Sequence, residues 1–143
     1  LRNNKSLDNF IIVKATTAEE KIFYLTITAD KYRYLSENDA FNLTSKANEF
    51  YKESINTAKS SISPANLYTV ISILNYSVFL FINTSAKSDG LIIAEDYVGK
   101  IQDIESDEPG FLSTETLEII KRIKENVNMW NREIKSSGLE DDI

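Results

Sequence analysis

An all-α fold is the expectation for this 143-residue chain, on three observations. Apolar residues recur at steps of three and four along most of the sequence, helix-start signals stand at Thr17 and at Ser63-Pro64, and no strand-like alternation bounded by turn residues occurs. A composition of 42% hydrophobic and 27% charged residues, with four Gly and two Pro, is that of one ordinary globular domain. One domain over residues 1–143 is therefore predicted, with about five long helices and a helical stub at the start.

Leu7, Phe10, Ile11 and Ile12 read as the end of a helix whose beginning is absent, and the chain opens with Leu, so a fragment is expected. Thr17-Ala-Glu-Glu20 has the capping-box spacing, in which a hydroxyl and a carboxylate satisfy free amides at a helix start, and it predicts a helix over residues 17–36. Beyond the polar turn at residues 36–39, Leu43, Ala47, Tyr51, Ile55, Ala58 and Ile62 keep one helical face apolar. Ser63 as cap and Pro64 as first residue are predicted to open a helix to Asn83, apolar nearly all round and so the most buried. After a polar turn at residues 85–89, Ile93, Tyr97, Ile101 and Ile104 predict a shorter fourth helix. Residues 105–110, with Pro109-Gly110, are expected to form a loop. Ile120, Ile123, Val127, Trp130 and Ile134 mark a last helix over residues 113–135, and residues 136–143 read as a disordered acidic tail. Short connections between such helices favour an antiparallel array of helix pairs.

The chemistry that this chain excludes is as informative as its pattern. Without His or Cys it lacks the commonest transition-metal ligands, the usual general base and any thiol, so zinc sites, Cys proteases and Ser-His-Asp hydrolases are ruled out. The four Gly are scattered, so no phosphate-cradling loop exists, and no carboxylate pair stands out from the surface charge. Neither an enzyme nor a metal or cofactor site is predicted. A net charge of −6 repels phosphate backbones and anionic lipid, and residues 70–82, the longest apolar run, are interrupted by Ser72, Asn75 and Ser77. No nucleic-acid or membrane partner is expected, and a cytoplasmic, or also nuclear, location is the default. The residues that invite a role are polar ones set in apolar helix faces. Arg33 follows Asp30 by three positions, so a carboxylate can hold its guanidinium; Asn75 breaks a nearly apolar helix; Asn126 stands one turn before Trp130.

Tyr32-Arg33-Tyr34-Leu35, Ile73-Leu74-Asn75-Tyr76-Ser77-Val78-Phe79 and Glu125-Asn126-Val127-Asn128-Met129-Trp130 resemble, in order and spacing, three signature segments of the 14-3-3 proteins. Lys21-Ile22-Phe23-Tyr24-Leu25 looks like that family's fifth-helix opening, and Ser63-Pro64 falls where it has a Pro before its seventh helix. The resemblance covers nearly the whole chain and implies the end of the fourth helix followed by helices five to nine of a 14-3-3, tetratricopeptide-like array.

The resemblance implies an adaptor that binds phosphoserine or phosphothreonine segments of client proteins in an amphipathic groove and so regulates signalling. By it, Arg33 pairs with the phosphate and Tyr34 adds a hydroxyl, with Asp30 in support. Asn75 and Asn126 hold the client backbone, Leu74, Val78 and Ile119 form the apolar wall, Arg122 joins that wall, and Trp130 lies near the groove's end. It also implies a homo- or heterodimer where the upstream helices are present; two further basic residues of the family phosphate site belong to the family's third helix. Four positions depart from the pattern: Glu118 and Arg122 stand where the groove wall is Leu, Thr26 where a groove Lys is usual, and Ile82 where a Glu is usual. Each charge added to an apolar wall must stay hydrated or find a partner, so client preference shifts, and Arg122 is expected to welcome an acidic client residue. Those departures also support an alternative, a helical-repeat scaffold that has lost phosphate reading and binds unmodified or acidic segments.

Overall fold

The computed structural model describes residues 17–38 and 42–138, and within them the chain is all-α, with five helices and no strand. They are α1 (Ala18–Asn38), α2 (Thr44–Ser61), α3 (Leu67–Asn83), α4 (Lys87–Asp107) and α5 (Thr114–Ser137). The stub expected at residues 7–13 lies outside the described residues. Each helix packs on the next in sequence, α1 also touches α3, and α3 also touches α5. Helix α3 is thus the one element that meets all the others. Its near-continuous apolar sequence follows from that position, since Val70, Ile73, Phe79 and Phe81 are buried against different neighbours.

Several helix ends are set where a side chain or a glycine satisfies the backbone. The Thr17 hydroxyl accepts the Glu20 amide at 3.0 Å and starts α1. Its other end runs two residues past the expected one because the Asn38 side-chain amide donates to the Tyr34 carbonyl at 2.9 Å. The start of α3 corrects the sequence reading: Asn66, not Ser63, is the cap, its Oδ1 accepting the Tyr68 amide at 2.9 Å. Residues 63–66 form a turn closed by the Asn66 amide on the Ser63 carbonyl at 3.0 Å, and Pro64 holds its second position, where a fixed φ also fits.

Helix α4 is as long as α1 rather than shorter, and it takes in Lys87, Ser88 and Asp89 from the expected turn. Asp89 is at home in a first turn, where free amides favour a carboxylate. It also runs past Glu105 to Asp107, into the segment expected as loop. Helix α5 starts on Ser113, whose hydroxyl accepts the Thr116 amide at 3.2 Å, and ends on Gly138 with φ 75°, whose amide reaches the Ile134 and Lys135 carbonyls. Ser136 and Ser137 are therefore helical and not part of the expected tail; residues 139–143 lie outside the described residues.

The three later helices are locked where α4 crosses α3 and α5. A methyl group on Gly90 would lie 2.7 Å from the Ser77 carbonyl oxygen and 3.1 Å from the Phe81 amide nitrogen, so two backbones meet there with no room for a side chain. Beside it, Phe81 and Trp130 stack with centroids 4.4 Å apart and planes within 8°. The Lys87 ammonium lies 4.4 Å from the Phe81 ring centre, donates to the Phe81 carbonyl at 2.9 Å and sits 3.7 Å from the Glu133 carboxylate.

Two alanine substitutions in α4 should move stability in opposite directions. Gly90→Ala is expected to destabilise by about 1–3 kcal/mol, because the helices must separate. Gly99→Ala, with nothing within 4 Å of the new methyl, should stabilise by roughly 0.5–1 kcal/mol. Urea unfolding of both variants checks the pair, and a neutral Gly90→Ala would contradict the close crossing.

Candidate functional site

A groove runs between α1, α3 and α5, and three adjoining depressions mark it. The middle one, about 270 Å³, is lined by Arg33 from α1, Leu74, Asn75 and Val78 from α3, and Arg122, Glu125 and Asn126 from α5. Arg33 also lines a second, of about 290 Å³, with Glu37, Ile82 and Asn83. Asn75 also lines a third, of about 270 Å³, with Phe23, Ile27, Tyr68 and Ile71. Ile71, Asn75, Val78 and Ile82 recur at steps of three and four, which puts one stripe of α3 along the groove floor. Exposed Phe23 and Ile27 near one end and exposed Ile82 near the other make the groove amphipathic. A separate cavity of about 180 Å³ between α2, α3 and α4 contains none of the candidate residues.

The carboxylates closest in sequence to Arg33 are taken up by other helices. The sequence reading had Asp30 hold Arg33, and the structure corrects this: Asp30 accepts the Tyr51 hydroxyl from α2 with one oxygen and the Asn75 side-chain amide from α3, at 3.1 Å, with the other. Glu37, one turn beyond Arg33, accepts the Asn83 amide at 2.7 Å. The Arg33 guanidinium consequently makes no ion pair among the described residues, and its Nε is buried with no hydrogen-bond partner. A half-buried cation without a counter-ion can recover lost hydration from an anionic ligand. Tyr34, next along, is 62% exposed.

The same carboxylate orients Asn75. A carboxylate can only accept, so the side of the amide facing Asp30 must be nitrogen, and Oδ1 is the end left to accept from a ligand. Asn126 and Asn75 stand on different helices but on one pocket, the arrangement needed to grip an extended backbone from two sides. Leu74 and Val78 supply half-buried apolar wall in that pocket.

Other candidates are placed differently. Ile119 packs half-buried against the core and does not line the pocket, and Trp130, only 2% exposed, is spent on its stack with Phe81. Thr26 is buried, its hydroxyl 2.8 Å from Ser54 Oγ, which is itself 2.7 Å from Ser72 Oγ, a chain of hydroxyls joining α1, α2 and α3. Glu118 is exposed and off the pocket, whereas Arg122 is on it. Sequence reasoning missed Tyr51, Glu37 and Glu125; only Glu125, inside the Glu125-Asn126 segment already singled out, carried a signal.

Among the described residues no cluster of acidic side chains fit for a metal ion occurs, and no helix is long and apolar enough to cross a membrane. Comparison with known proteins finds the family profile described as 14-3-3 protein over residues 4–131. The 14-3-3-like protein 1 of Caenorhabditis elegans is 31% identical over 96% of this chain and 55% of its own length. The 14-3-3 protein homolog 2 of Schistosoma mansoni is 28% identical over 95% of the chain and 64% of its own. The 14-3-3 protein beta/alpha-1 of Oncorhynchus mykiss is 30% identical over 89% and 54%. The chain thus spans between about half and two thirds of the relatives it matches.

The Tyr51 hydrogen bond has a testable pH signature. Burial first, then the bond to Asp30 and that carboxylate's charge, push the Tyr51 phenol well above its ordinary value. The folded state keeps this proton where the unfolded chain gives it up, near pH of about 10. The stability it supplies is therefore present below that pH and falls as pH rises above it; Tyr97, raised by burial, acts in the same direction. Tyr51→Phe should cost about 1–3 kcal/mol at neutral pH by leaving Asp30 short of a donor, and should flatten the alkaline loss. Urea unfolding at neutral and alkaline pH measures both, and an unchanged alkaline slope would contradict the assignment.

Proposed function

This chain belongs to the 14-3-3 family, and on that premise we propose that it binds phosphoserine or phosphothreonine segments of client proteins in the groove between α1, α3 and α5. The family's members are adaptors rather than enzymes, and the partners proposed here are phosphorylated clients and, where the family's upstream helices accompany this chain, a second 14-3-3 subunit. The observation that carries the reading is the unpaired Arg33 guanidinium, set in one pocket with the amides of Asn75 and Asn126.

The chemistry follows from that arrangement. A phosphorylated side chain brings close to two negative charges and three strong acceptors, and the guanidinium fork meets two of them at once. Each charge-assisted bond is worth roughly 1.5–3 kcal/mol, which a bare hydroxyl cannot replace, so binding depends on the modification. Tyr34, with its hydroxyl on an exposed ring, is proposed as a second donor. Asn75 Oδ1 and Asn126 take the backbone, a contact that tolerates sequence because every peptide offers the same groups. Leu74 and Val78 carry the apolar contact beside it.

A second reading, a helical scaffold that binds unmodified or acidic segments, draws support from Thr26, whose hydroxyl is committed inside the helix packing, and from Ile82, 63% exposed. The two readings separate in one titration of a labelled phosphoserine peptide and its unphosphorylated twin, read by fluorescence anisotropy against the full-length protein. The phosphorylated peptide alone should bind, and Arg33→Ala should weaken it by about tenfold or more while costing at most about 1 kcal/mol of stability, since Arg33 makes no ion pair among the described residues and loses only the packing of its stem. Equal binding of both peptides would favour the scaffold.

A further inference from the structure

We propose that Arg122 on α5 is a second anion-binding residue of the groove, so that clients are recognised by two guanidinium groups from facing helices. The inference rests on the reading of the groove as a client site and names a further determinant of what it takes. Arg122 is exposed, lines the same pocket of about 270 Å³ as Arg33, and forms no ion pair among the described residues. Its helix neighbours Glu118 and Glu125 stand four residues before and three residues after it, positions from which a carboxylate usually reaches a guanidinium. Neither does so here. Two unpaired guanidinium groups sharing one pocket repel each other, and Glu125, the one carboxylate on its lining, balances only one of them. The pocket is short of negative charge, although the chain as a whole carries −6.

Position on the helix says which part of a client Arg122 meets. It precedes Asn126 by four residues, so the guanidinium and the amide lie one turn apart on the same face, roughly 5–6 Å between their Cβ atoms. An extended peptide advances about 3.3 Å per residue. A segment whose backbone is held at Asn126 therefore brings to Arg122 a group within about two residues. That group is either the phosphate already on Arg33 or a carboxylate beside it; both offer the same anionic oxygens. Plain wall packing by the Arg122 stem is the competing role, and leucine at this position would keep it.

Four peptides decide the matter, titrated against the full-length protein and its Arg122→Leu variant: a phosphoserine peptide with neutral flanks, the same peptide with Glu two residues from the phosphoserine, the Glu-bearing peptide without phosphate, and a peptide with neither. The expected result is a loss of about tenfold with Arg122→Leu on at least one anionic peptide, with thermal stability unchanged or raised by the relief of repulsion. A loss on the neutral-flanked phosphopeptide assigns Arg122 to the phosphate, and a loss only of the gain from Glu assigns it to the carboxylate. Unchanged binding of the three anionic peptides, or equal weakening of the peptide carrying neither phosphate nor Glu, overturns the proposal. Should the wild-type protein ignore the phosphate, phosphopeptide reading fails by itself. The role of Arg122 then stands or falls on the unphosphorylated Glu peptide.

Discussion

Much of the groove depends on how one carboxylate is shared. Asp30 accepts from Tyr51 on α2 and from Asn75 on α3, so a single side chain of α1 ties the first three helices at the groove floor. Were Asp30 to turn to Arg33 instead, Tyr51 and Asn75 would each lose a partner in a half-buried place, at roughly 1–3 kcal/mol apiece. The competition is settled in favour of the two neutral donors, and two consequences reach the surface. Asn75 is held with its oxygen available, and Arg33 is left with its Nε unbonded and no ion pair among the described residues. The Glu37–Asn83 hydrogen bond does the same at the next turn. Arg33 thus makes no ion pair among the described residues of an acidic chain because its nearest carboxylates are occupied elsewhere.

Helix α3 converts that local arrangement into a rigid one. It meets every other described helix, and its groove stripe cannot shift without disturbing the packed stripes behind it. On the far side, Gly90 lets α4 approach backbone to backbone, and the Phe81–Trp130 stack with Lys87 above it fixes α5 against α3. The distance between Arg33 on α1 and Asn126 on α5 is set through these contacts. Groove and fold therefore share residues: Asn75 lines the groove pocket and also donates to Asp30.

The number and order of helices were readable from the apolar spacing, because a helix packed on neighbours must repeat its buried face every three or four residues. Boundaries were not, since a local donor decides them. Asn38 and Asn66 end and begin helices by reaching particular backbone groups, and Lys87, Ser88 and Asp89 look like a turn by polarity though they form the first turn of α4. At the site, Arg33, Asn75 and Asn126 were found as polar residues on apolar faces and by family likeness. Whether Asp30 held Arg33 could not be read from spacing, because the winning partner, Tyr51, is 21 residues away on another helix. Trp130 shows the opposite limit, for groove wall and core use the same residue types, and only packing separates them.

The central claim, that Arg33 is a guanidinium left unpaired by its own fold and completed by a client phosphate, can be observed on the group itself. The Arg33 Nε–H resonance in the ¹⁵N-labelled protein would be followed by NMR as a phosphoserine peptide, and then its unphosphorylated twin, is added. The account predicts a resonance that shifts downfield with the phosphorylated peptide alone. A resonance that stays unmoved by the phosphorylated peptide, or one that responds alike to both peptides, would contradict it.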